Sequence, residues 1–131
     1  MMNLGGDIMS AIGFKSLGVF GNMVEVPWYP QLTALVKWLL VRVHQDRTCT
    51  NVFVTSAYRK DDKGVHGQIP LRGLDIRSTV FEDPEKLCED INNHWEYDLD
   101  RPEKQCAIYH DIGKGFHIHL QVHPKTKYLG G

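Results

Sequence analysis

The chain has 131 residues, 42% of them hydrophobic and 24% charged, with a formal net charge of −1 at pH 7. These values suit one soluble globular domain with one core and leave little room for a second. They exclude a strongly basic nucleic-acid binder, and no apolar run is long enough to cross a membrane.

Residues 1–26 are rich in Gly and Met without a clear period, and read as an irregular N-terminal arm ahead of a single domain over 27–131. The opening stretch MMNLGGDIMSAIGF carries Asp7 and has no basic segment, so it makes a poor secretory signal. The expectation is synthesis and folding in a reducing cytoplasm. Three cysteines, Cys49, Cys88 and Cys106, form no C-x-x-C pair, so buried free thiols are expected rather than a disulfide framework.

VPWYP then introduces a helix. Pro30 suits its first turn, and Leu32, Leu35, Val36, Leu39, Leu40 and Val43 recur at helical spacing. NVFVTS (51–56) is a predicted strand, rich in β-branched residues. A loop punctuated by Gly64, Gly67, Pro70 and Gly73 follows, and LDIRS (74–78) is a second short strand. Asp83 and Pro84 open a second helix running to about Trp95, with Leu87, Cys88 and Ile91 turned inward. Nine carboxylates between Glu82 and Glu103 face only Lys86 and Arg101, which reads as a solvated helix and loop. QCAIYH (105–110) and FHIHLQV (116–122) are predicted strands joined by the turn DIGKG. The order of elements implies an α+β fold, a small antiparallel sheet flanked by helices.

The last strand raises the functional question. Side chains alternate across a strand, so Phe116, Ile118, Leu120 and Val122 point to the core. His117, His119, Gln121 and His123 then share the other face. Zinc takes imidazole nitrogen and carboxylate oxygen, and a catalytic site pairs three such ligands with one open position. Asp75, between Leu74 and Ile76, projects away from the core and calls for a cation or hydrogen-bond donors. His66 lies between the glycines Gly64 and Gly67, which let the backbone bring an imidazole close to a neighbouring strand. Any one of these histidines, alone, is an ordinary surface or core residue.

Together, TSAYR (55–59), GVHG…RGLD (64–75) and HIHLQV (117–122) resemble the M15-type zinc peptidases. These comprise D-Ala-D-Ala carboxypeptidases and dipeptidases and phage L-alanyl-D-glutamate endolysins, on the fold shared with hedgehog signalling domains. The resemblance covers roughly residues 30–123 in motif order. It implies a hedgehog/DD-peptidase-like fold and Zn2+ held by His66, Asp75 and a histidine of HIH, with His119 preferred over His117. It implies that Arg59 binds substrate or stabilises the oxyanion, an ion pair with Asp61 or Asp62 being the structural alternative. The substrate it implies is a peptidoglycan stem peptide. A phage or prophage enzyme, released through a holin or carried on a virion, would suit such a small domain.

Two features depart from the family. His66 and Asp75 are separated by eight residues rather than six, QIPL lengthening the loop. Many members also carry Glu or Asp three residues before the last ligand, where this chain has Phe116, or Lys114 in the alternative alignment. The base is then Asp111 or His117. Arg77 shares Asp75's side of the strand and is expected to orient its carboxylate. Gln121 is expected to line the substrate groove or stand exposed. A non-catalytic zinc-stabilised binding or virion module on the same fold is the alternative, because a fold does not fix a function.

Overall fold

The computed structural model describes residues 12–45, 52–57, 59, 62–64, 67–111, 113 and 115–130. The first strand, β1 (Ile12–Phe14), leads into helix α1 (Leu17–Val24), whose first turn is capped by the Ser16 hydroxyl accepting from the Val19 N–H. Helix α2 (Pro30–Gln45) follows, then β2 (Val52–Ser56) and β3 (Gly73–Arg77). Helix α3 (Pro84–His94) is capped by Asp83, with a proline in its first turn. The remaining strands are β4 (Trp95–Glu96), β5 (Ala107–Asp111), β6 (Phe116–Gln121) and β7 (Lys127–Tyr128).

Among the described residues, five strands form one sheet in the order β1-β2-β3-β6-β5, and β4 and β7 make a separate two-stranded ladder. The fold is α+β, as expected, but the sheet is mixed. β1 runs parallel to β2, whereas the β2–β3, β3–β6 and β5–β6 pairs are antiparallel. The supposed irregular arm therefore supplies an edge strand and a helix from residue 12 onward. Ile12 and Met23 are buried in the same core as the rest of the domain. Three residues are too few for a period to show, and the pairing partner lies forty positions away.

One face of the sheet presents Val52, Val54, Leu74, Ile76, Ile118 and Leu120, all buried. These side chains share a core with Leu32, Leu35 and Leu39 of α2 and Cys88 and Ile91 of α3. Burying each large aliphatic side chain contributes roughly 1.5–3 kcal/mol, which fixes the register of the central strands. The two helices are also clamped by a two-pronged ion pair, Arg42 to Asp90, at 2.8 Å for both contacts. The polar face of β3 and β6 is thereby left pointing away from the helices. Phe116 departs from expectation. At the strand's outer end it is 56% exposed and lies against Tyr109, 4.8 Å between ring centres, rather than in the core.

Candidate metal centre

The register of three strands assembles the site. Asp75 pairs with His119 across β3–β6, Arg77 pairs with His117, and His117 pairs with His110 across β5–β6. Since partners in register project to the same face, Asp75, His117, His119 and His110 come together. Asp75 is only 6% exposed, so its carboxylate needs compensating partners.

Those partners are imidazoles. His119 Nδ1 lies 2.9 Å from Asp75 Oδ1, and His117 Nε2 lies 3.7 Å from the same oxygen. The other ring nitrogen of His119 is 3.1 Å from Gln121 Oε1, while Gln121 Nε2 donates to the Gln105 carbonyl at 2.8 Å. This chain fixes the chemistry. The Gln105 carbonyl demands the NH2 end of the amide, so Oε1 faces the ring. An amide oxygen only accepts, so His119 Nε2 carries its hydrogen. Nδ1 is left facing a carboxylate at 2.9 Å, and two lone pairs repel at that distance. A proton between the two atoms, or a cation shared by both, satisfies the contact. The donor set fits zinc, with one hard oxygen and one nitrogen oriented from behind by a buried amide.

Of the expected ligands, Asp75 and His119 are brought together, and His66 lies outside the described residues. Among the described residues no group of three or more His, Cys, Asp or Glu side chains is placed to hold a metal ion. His117 sits beside the pair rather than in it. Its Nε2 is 3.0 Å from His110 Nε2, a contact in which one ring donates and the other accepts. Burial first, and then the neighbouring His117 and His119, hold His110 below the ordinary histidine range.

The geometry places three of the expected site residues in other contacts. Gln121 is buried, and both ends of its amide are engaged, so it supports His119 rather than facing a substrate. Arg77 does not orient Asp75; its guanidinium lies over the Phe53 ring, 4.2 Å from the centroid, because Phe53 is its neighbour across β2–β3. Asp111 is tied into the hairpin. Its Oδ1 accepts from the N–H groups of Gly113 at 2.7 Å and Gly115 at 3.1 Å, both glycines having positive φ (97° and 96°). Arg59 pairs with Asp62 at 2.8 Å, one of the two partners foreseen, while also lining a cleft beside Asp75 and His117.

His110, Lys15 and Gln105 were not singled out from the sequence. His110 was legible in principle, because folding the chain about the DIGKG turn places it opposite His117. Lys15 and Gln105 follow only from long-range packing. Comparison of the chain with protein-family models, with curated proteins and with solved structures finds no match.

Proposed function

We propose that this chain is a zinc-dependent peptidase of the M15-like type, hydrolysing peptidoglycan stem peptides. The observation that carries the reading is the relay Gln105–Gln121–His119–Asp75, which aims His119 Nδ1 and a nearly buried carboxylate at one point. Asp75 and His119 hold the ion, with His66 as third ligand by resemblance. A bound zinc supplies Lewis acidity toward a carbonyl and toward water.

The chain's own groups do the rest. His117, its Nε2 exchanging the 3.0 Å contact with His110 for the attacking water, takes a proton from that water and returns it to the leaving amine. Arg59, on the cleft wall and half exposed, turns its fork toward the carbonyl oxygen or a substrate carboxylate, releasing a surface ion pair of small worth. Asp111 is the less suitable base, since its carboxylate already closes a turn.

A second reading, a zinc-stabilised binding or virion module, is favoured by Phe116. It stands exposed at the position where many relatives of this type place an acid. Purified protein equilibrated with zinc, incubated with D-Ala-D-Ala and L-Ala-D-Glu peptides and with whole sacculi, separates the two. Cleavage lost in Asp75→Ala supports the peptidase; a zinc-loaded protein inert on every substrate supports the module.

A further inference from the structure

The cleft beside Asp75 and His117 has a volume of about 320 Å³, room for the end of a peptide rather than a folded partner. Its charge is lopsided. Lys15, Arg59 and Arg77 line it, with the hydroxyl-bearing Thr55 and Ser56 between them. They converge because β1, β2 and β3 are adjacent: Lys15 follows β1 and donates its backbone N–H to the Val54 carbonyl at 3.0 Å, and Ser56 pairs with Asp75.

Three cations around one cleft repel one another, and what balances them is informative. Arg59 has Asp62. Among the described residues neither Lys15 nor Arg77 has an ion-pair partner. Arg77 uses one flat face against Phe53, which leaves the N–H edges of its guanidinium for a ligand. The carboxylate lining the cleft, Asp75, is already met by His119 and His117.

We infer that Lys15 and Arg77 form an anion subsite that selects peptides bearing a carboxylate in the same cleft as the scissile bond. The choice of a peptide carboxylate rests on the peptidase reading; the demand for negative charge does not. A planar carboxylate matches the guanidinium fork, and an ammonium beside it adds a point charge without geometric demand. Two sources share this chemistry. A C-terminal α-carboxylate makes the protein a carboxypeptidase, and an acidic side chain next to the cut makes it an endopeptidase.

The test is calorimetric binding of four short peptides to zinc-equilibrated protein. The peptides are acetyl-D-Ala-D-Ala as free acid and as amide, and an L-Ala-D-Glu amide with its side chain free or converted to the carboxamide. We expect at least one free carboxylate to bind about tenfold or more tightly than its amide. Lys15→Gln and Arg77→Gln should each remove most of that difference, Lys15→Arg should restore it, and added salt should weaken it. Which acid wins identifies the source. Equal affinity for acids and amides, absence of binding by all four, or indifference to both substitutions overturns the subsite. Carboxylate-selective binding without hydrolysis refutes the peptidase and leaves the subsite standing, whereas hydrolysis indifferent to the carboxylate does the reverse.

Discussion

His119 Nε2 lies 3.1 Å from Gln121 Oε1, and that contact determines which ring nitrogen faces Asp75. Removing the acceptor frees the ring to adopt the wrong tautomer or to turn. Gln121→Leu should therefore weaken zinc binding by about 10–100-fold, measured by competition with a chromophoric chelator. Gln121→Glu keeps an acceptor and should lose less. Unchanged affinity in Gln121→Leu would show that the amide does not orient the ligand.

The two candidate bases make opposite demands. Asp111 accepts two turn N–H groups, so Asp111→Ala should cost on the order of 1 kcal/mol of stability through loss of the hydrogen bonds that close the turn. Asp111→Asn keeps an acceptor and should retain most hydrolysis. His117→Ala should reduce kcat by a factor of about 100 or more, the usual scale of a lost general base. Loss of activity in Asp111→Asn with activity retained in His117→Ala would reverse the assignment.

Gly67 follows His66 and sits hard against the chain. A Cβ there would collide with the carbonyl of Asp62, while the Gly67 N–H donates to the Gly64 carbonyl at 3.1 Å. Gly67→Ala must therefore shift the loop on either side. We predict a large loss of zinc affinity with little change in the zinc-free melting temperature, since the sheet core is untouched. Zinc binding equal to wild type would mean that the loop tolerates the methyl group.

Burial pushes the thiols of Cys88 and Cys106 up to about 12, Glu85 adding to the effect at Cys88. Both stay protonated near neutral pH and are shielded as well. In a Cys49→Ser background, neither should react with a thiol reagent at pH 7.5 in native protein, and two equivalents should appear on unfolding. Rapid native labelling would contradict the packing of α3 and of the residue that enters β5.

The legible parts of this chain were those with a local signal. The α2 heptad-like spacing, the Asp83–Pro84 cap and the alternation of FHIHLQV each encode an element and the face it buries. Asp75 and His119 were legible because a polar side chain among core residues has to be compensated. β1 was not, being three residues long with a distant parallel partner. The contacts of Gln121 and Arg77 were not legible for a related reason. Alternation says which face a side chain takes, but not that Gln105 would engage the amide or that Phe53 would lie under the guanidinium.

Zinc content decides the central claim most directly. Wild-type protein equilibrated with zinc and freed of excess metal should retain one ion per chain, while Asp75→Ala, His119→Ala and His66→Ala should each retain far less. A wild type that holds no zinc, or variants that hold as much as the wild type, would contradict it.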